Sequence, residues 1–255
     1  MTPGVLLCSG LDPSGGAGFI ADVRVAALLD TRPVGVVTAT TVQNTLGVAS
    51  WQPVAAEHLR EQLEHLLSDV EVRAVKIGML GSLEAAVAIG HALQLTSAPM
   101  VWDPVLAATR GVPLAEGDLD QAIAALRPHL TLLTPNAGEL ELLAGARLPT
   151  LEAAVAAGIA LAQRLDTAVL VKGGHFGGVE SIDVVVARDS RTELHAPRIA
   201  GGEHVHGTGC ALSTAIAAHL ARGASLVEAC RAAKQLVSER LASPQHPGRG
   251  APAIV

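Results

Sequence analysis

Two hydrophobic repeats alternate along the chain. Short runs at 5–8, 34–38, 74–77, 100–102, 130–133 and 168–171 are apolar at nearly every position. Strands covered on both faces read this way. Between them lie Ala- and Leu-rich segments at 17–30, 55–68, 82–95, 137–143, 150–165, 210–221 and 225–241. Their apolar residues recur every three to four positions, as with Leu59, Leu63, Leu66 and Leu67, and that spacing predicts helices. Thr150 stands where a helix N-cap falls. The more polar 47–54 reads as an edge strand, and 181–187 with 192–195 as an antiparallel pair turning through 188–191. From residue 243 the chain is rich in Pro and Gly and reads as loop. This β-α alternation predicts an α/β fold, a mostly parallel sheet with helices on both faces. No linker, repeat or low-complexity block divides it, so 1–255 is expected to form a single domain.

Composition narrows the function. Of 255 residues, 49% are hydrophobic and 16% charged, which excludes disorder. The formal net charge is −6, aromatics are 2% and Tyr is absent. A phosphate backbone would be repelled and bases would find no stacking platform, so no nucleic-acid partner is expected. The most apolar stretch, 85–102, is broken by Gly90, His91, Gln94, Thr96, Ser97 and Pro99, so no membrane span is expected. The N-terminus lacks a basic region followed by a long apolar one, and a cytoplasmic location is the expectation. Three cysteines without paired spacing, Cys8, Cys210 and Cys230, argue against a disulfide framework or a structural zinc site.

The chemistry concentrates in loops that follow predicted strands, where ligands of open α/β sheets bind. Residues 9–18, with Asp22 beyond, form a glycine-rich strand-to-helix loop. Residues 16–21 match the dinucleotide pattern G-x-G-x-x-A, but too far behind the strand to carry weight. Asp103, at the end of 100–102, is placed either to hold Mg²⁺ or to cap a turn. Asn136 and Glu139 have the spacing of a capping box, and equally of a pair that holds a hydrated magnesium against phosphates. Lys172, followed by two glycines, is suited to neutralise phosphate charge, yet no P-loop sequence occurs. The most specific segment is 201–210. Gly207-Thr208-Gly209 opens a helix and presents free N–H groups to a developing anion. Cys210 falls in the first turn, where the helix N-terminus is expected to lower its pKa and fit it to take a hydroxyl proton. Cys8 and Cys230 read as small buried hydrophobes. His204 and His206 lack a third ligand for a metal site, and a loop His that orders the anion site is the better reading.

Taken together, these motifs resemble the ribokinase-like superfamily and, within it, the hydroxymethylpyrimidine/phosphomethylpyrimidine kinases of thiamine biosynthesis. The matching segments are 10–18, 21–22, 43–45, 76–80, 103–105, 134–136 with Glu139, 172–175 and 206–210, in family order across nearly the whole chain. The resemblance implies a three-layer α/β/α sandwich with small edge strands. It implies phosphorylation of 4-amino-5-hydroxymethyl-2-methylpyrimidine by ATP and Mg²⁺, and then of the monophosphate. Gln43 and Asp22 would bind the ring's polar edge, and Met79 and Val105 would pack on the ring near Gly10. Cys210 would be the base and Gly207 and Gly209 the anion hole. Asp103 and Glu139 would hold metal; Asn136, Lys172 and Thr208 would hold the nucleotide phosphates. Family members are commonly homodimers, and 47–54 is a candidate interface.

The chain also departs from the family. Phe19-Ile20 stands where Ile-Gln is usual, Thr109-Arg110-Gly111 replaces Lys-Ser-Gly, and His204-Val205 replaces Asn-Thr. The His-rich C-terminal end is absent. These changes bear on phosphate handling and on the second phosphorylation. Three rival readings stand beside this one: a pyridoxal kinase, a non-catalytic pyrimidine-binding module, and a dinucleotide-dependent oxidoreductase resting on 16–21.

Overall fold

The computed structural model describes residues 2–105, 115–116 and 119–255. The altered segment 109–111 therefore lies outside the described residues. The first half of the chain carries β1 (Gly4–Leu11), α1 (Gly18–Leu28), β2 (Arg32–Asn44), β3 (Gly47–Pro53), α2 (Ala56–Leu67), β4 (Ala74–Ile77), β5 (Gly81–Ser82), α3 (Leu83–Ala92), β6 (Met100–Trp102), β7 (Ala115–Glu116) and α4 (Leu119–Leu126). The second carries β8 (Leu130–Leu133), α5 (Ala137–Ala144), α6 (Leu151–Leu165), β9 (Ala168–Val171), β10 (Glu180–Ala187), β11 (Ser190–Pro197), α7 (Thr208–Ala221) and α8 (Leu226–Leu241).

Nine strands form one sheet in the order β11-β10-β9-β8-β6-β4-β1-β2-β3. From β2 to β9 every pairing is parallel. β3, β10 and β11 run antiparallel at the two ends. Within each central strand the side chains alternate between two cores. Leu6, Cys8, Val75, Ile77, Met100 and Trp102 meet α2 through α6 on one face. Val5, Leu7, Val101, Leu132 and Leu170 meet α1, α7 and α8 on the other. The result is the expected sandwich of three layers. Leu59 and Leu63, both 0% exposed, anchor the amphipathic α2, and burial stabilises by about 1.5–3 kcal/mol per such side chain.

Four sequence expectations change. β2 runs to Asn44, well past 34–38, because beyond β1 it continues as a ribbon paired with β3. The β10–β11 turn is Arg188-Asp189 alone, since Ala187 already pairs with Ser190. α4 was not anticipated, although Leu119, Ala122, Ile123 and Leu126 carry a helical repeat. The segment after 243 is docked rather than a plain loop. His206 donates its N–H to the Pro252 carbonyl, Ala251 donates to Thr45, and Ala253 and Ile254 are buried. Among the described residues no helix is long and apolar enough to cross a membrane.

Candidate active site

The carboxyl ends of β1, β4, β6, β8 and β9 open into a cleft of about 980 Å³. Its floor follows the strand order. Gly10 sits at the end of β1 and Asp12 just beyond it, Met79 beyond β4, Asp103 and Val105 beyond β6, Asn136 and Glu139 beyond β8, and Lys172 beyond β9. α7 closes the middle, bringing Gly207, Thr208, Gly209 and Cys210 to the same cleft. Gln43, from the β2 ribbon, lines the β1 end. Val237 and Leu241 of α8, with Pro197 and Ile199, line the β11 end.

At the centre the Lys172 ammonium lies 2.9 Å from Asp103 Oδ1, which also accepts from Thr134 Oγ1 at 3.1 Å. Burial works against the Lys172 charge, but the Asp103 and Glu139 carboxylates outweigh it and hold the pKa above its usual value. Gly209 faces this pair: a Cβ there would sit 3.2 Å from Asp103 Oδ2 and 3.5 Å from Lys172 Nζ. α7 starts from Gly207, which has φ +82° and no capping side chain, whereas Ser82, Asn136, Thr150 and Ser225 cap α3, α5, α6 and α8. Its first N–H groups are thus left to face an anion. Only glycine serves at 207, because a Cβ would meet the Gly16 carbonyl oxygen at 2.0 Å.

Cys210 is half-buried beside this helix start, and its thiol is shifted opposite to the sequence expectation. Burial pushes it up to about 11. The Lys76 ammonium pulls it back, the Asp22 and Asp103 carboxylates push it up further, and a Gly18 N–H to the sulfur lowers it. Desolvation prevails over the Lys76 charge and the Gly18 hydrogen bond, so the thiol is neutral in the free protein at pH 7. Cys8 and Cys230 are both 0% exposed, consistent with packing roles.

Asp22 must be corrected. Its side chain is 0% exposed and does not line the cleft. Oδ2 accepts from Ser9 Oγ and Lys76 Nζ, both at 2.6 Å, and Oδ1 accepts from Thr214 Oγ1 at 2.7 Å. Asp22 therefore holds a buried cation beneath the cleft and has no face for a ring. Lys76 was the missed partner; a lone Lys inside the apolar run 74–77 was the available signal, since Lys is almost never fully buried unpaired. Asn136 and Glu139 do form the capping box: Glu139 N–H donates to Asn136 Oδ1 at 2.9 Å and Asn136 N–H to Glu139 Oε2 at 2.7 Å. Both also line the cleft. Met79, Val105, Ala39 and Trp51 make a small apolar cluster, and a Cβ on Gly10 would meet Met79 Sδ at 2.7 Å. Trp51 was not singled out in sequence because its edge strand looked merely polar.

Two further residues were missed. Arg198 gathers the loop after β9: Nε donates to Gly178 O at 2.9 Å, Nη1 to Gly174 O at 2.6 Å, and Nη2 to the carbonyls of Gly173, Phe176 and Glu180. Asp12 organises the loop after β1. Oδ1 accepts from the N–H and hydroxyl of Ser14, and Oδ2 accepts from the Ala17 N–H. Burial raises the Asp12 pKa, but hydrogen bonds from His206 and Ser14 prevail and hold it below the usual carboxylate value. Among the described residues no cluster of three or more metal-ligating side chains occurs. Residues 16–21 lie at the start of α1, not directly behind β1, and the cleft's chemistry gathers at α7 instead.

The family model for phosphomethylpyrimidine kinase matches residues 12–254. A hydroxymethylpyrimidine/phosphomethylpyrimidine kinase from Rhizobium meliloti is 41% identical over 236 residues, 92% of this chain and 88% of that protein. The crystal structure of phosphomethylpyrimidine kinase from Clostridium difficile superposes with a TM-score of 0.79 at 30% identity, covering 94% of this chain and 99% of that one. A pyridoxal kinase from Staphylococcus aureus in complex with ADP superposes with a TM-score of 0.90 at 27% identity, covering 100% and 93%. Fold and site thus define a kinase of the ribokinase-like class. Within that class the matches discriminate further, because identity is higher to the pyrimidine kinases than to the pyridoxal kinases. The chain belongs to the phosphomethylpyrimidine kinase family.

Proposed function

We propose that the protein phosphorylates 4-amino-5-hydroxymethyl-2-methylpyrimidine with ATP, and then its monophosphate, for thiamine biosynthesis. The observation that carries this reading is the meeting of Asp103, Lys172, Gly209 and Cys210 midway along a two-ended cleft. The ring occupies the Gly10, Gln43, Met79 and Val105 end. The nucleotide occupies the other, its base against Pro197, Ile199, Val237 and Leu241. Its phosphates lead inward past Asn136 and Lys172 to Thr208. The substrate hydroxyl oxygen attacks the γ-phosphorus as the bridging bond to the β-phosphate breaks, ADP leaves, and the hydroxyl proton passes to Cys210 Sγ in its thiolate form, the thiol having first given its own proton to solvent. In a loose transition state that proton leaves late, so positioning and charge stabilisation do most of the work. The N–H groups at Gly207 and Gly209 receive the charge that develops on the transferred group.

Asp103 and Glu139 suit a magnesium ion. Mg²⁺ keeps several waters and takes one or two carboxylates besides phosphate oxygens, so a three-ligand protein cage is not required. When bound, the ion would neutralise phosphate charge beside Lys172. A cytoplasmic homodimer completes the reading; Val42 on β2, 64% exposed, and Leu46 in the β2–β3 turn are the apolar surface a second copy would cover.

The test is a time course with ATP, Mg²⁺ and the hydroxymethylpyrimidine, read by mass spectrometry, with pyridoxal in parallel. Monophosphate followed by diphosphate is expected. Product from pyridoxal alone would move the activity to that ring, and no product from either would leave a binding module.

A further inference from the structure

His206 Nε2 lies 3.2 Å from Asp12 Oδ2 and 3.3 Å from Gln43 Nε2, at the ring end of the cleft. The Asp12 side chain is 4% exposed and that of His206 25%. Asp12 carries its charge here, with both oxygens already accepting from Ser14 and Ala17. A lone pair on His206 Nε2 would face that carboxylate at a repulsive distance, so Nε2 carries hydrogen and donates to Asp12. A donor at Nε2 cannot face the Gln43 NH₂ group, which also only donates. Thr41 points the same way independently. Its single hydroxyl proton goes to Leu11 O at 2.8 Å, so towards Gln43, at 3.2 Å, it can only accept. Turned over, the Gln43 amide places Oε1 at His206, where the single Nε2–H is shared between Asp12 Oδ2 and Oε1, and places Nε2 at Thr41, where it donates to the hydroxyl oxygen.

We infer that the Asp12–His206 pair is a specificity-determining device: it locks the Gln43 amide in one orientation and so sets which ring edge the cleft accepts. Among the described residues the locked amide keeps one Nε2–H and one Oε1 lone pair uncommitted. A donor beside an acceptor matches an aminopyrimidine edge, where a ring nitrogen accepts and the adjacent amino group donates, as an amide side chain matches adenine. The pyridine nitrogen of pyridoxal offers an acceptor with no amino group beside it. Selectivity against pyridoxal then comes from residues that need not touch either ring. Asp12 and His206 act through Gln43 and are positioning residues. The ring-binding role of Gln43 rests on the proposed function; the orientation of its amide does not.

The experiment has two independent arms. In the free protein, ¹⁵N NMR of the His206 ring is expected to show the Nε2–H form at pH 7.5, and Asp12→Asn is expected to lose it. An Nδ1–H tautomer with bare Nε2 would overturn the inference, whatever the enzyme phosphorylates. The second arm compares kcat/KM for the hydroxymethylpyrimidine and for pyridoxal in wild type and Asp12→Asn, with KM for ATP and Tm as controls. The aminopyrimidine:pyridoxal ratio is expected to fall about 10-fold or more, the worth of one hydrogen bond left unmade, while KM for ATP holds. An unchanged ratio in a folded variant would overturn the inference while leaving the kinase assignment intact, and inactive wild type would overturn only the assignment.

Discussion

Gly209→Ala separates the architecture of the site from the stability of the fold. Gly209 lies in the first turn of α7 and is not among the residues with positive φ, so alanine fits its backbone. Replacing Gly by Ala in a helix stabilises by up to about 1 kcal/mol, which for a chain of this size raises Tm by about 2–4 °C. The new methyl would lie 3.2 Å from Asp103 Oδ2 and 3.5 Å from Lys172 Nζ, in the space the proposed phosphoryl path crosses. The carboxylate would have to yield by a few tenths of an ångström, and the transferred group by more. Displacements approaching 1 Å at a reacting centre cost about 10²-fold in rate. The variant is therefore expected to keep or raise its Tm while kcat, followed as ADP release, falls at least about 10²-fold. Gly207→Ala is the contrast. Its Cβ would strike the Gly16 carbonyl at 2.0 Å in a left-handed backbone, so stability and activity should fall together. Near-normal kcat in a folded Gly209→Ala protein would refute passage of the phosphoryl group between α7 and the Asp103–Lys172 pair.

Other expectations follow from the same geometry. With its thiol held near 11, Cys210 should alkylate with iodoacetamide at pH 7.5 about 100-fold more slowly than an ordinary thiol, because only the thiolate reacts; the rate should climb up to about pH 11, and a midpoint near the ordinary thiol value of 9.0 would contradict the burial argument. Lys76→Met strands the Asp22 carboxylate in the core and should cost about 3–5 kcal/mol in a denaturant titration; a loss below about 1 kcal/mol would mean that Asp22 finds water. Arg198→Ala frees the carbonyls of residues 173, 174, 176, 178 and 180, and should raise KM for ATP about 10-fold or more while leaving KM for the pyrimidine alone; equal effects on both would place Arg198 outside nucleotide positioning.

The parallel strands were legible because each is buried on both faces and so reads as an unbroken apolar run. The same clarity hid Lys76, which was absorbed into a strand pattern although its charge is what Asp22 answers. The ring-binding role of Asp22 came from the family resemblance, and nothing in the spacing distinguishes a carboxylate facing the cleft from one facing inward. The Cys210 shift was misread for a similar reason: the helix start is visible in sequence, whereas the desolvation that raises the thiol arises from elements far apart in the chain. Arg198 and the docked segment after 243 act through backbone carbonyls and amides, which leave no mark in side-chain pattern. Gly207, Gly209, Asp103 and Lys172 were legible as neighbours because each stands at a strand end or a helix start, and those ends meet in one cleft.

The most direct test of the central claim is the rate of phosphoryl transfer in Cys210→Ala, measured by rapid quench with ATP, Mg²⁺ and saturating hydroxymethylpyrimidine. The account predicts a fall of about 10²–10⁴-fold, the worth of a positioned proton acceptor, with KM for both substrates and Tm nearly unchanged. A rate equal to wild type would contradict it and move the hydroxyl proton to another acceptor.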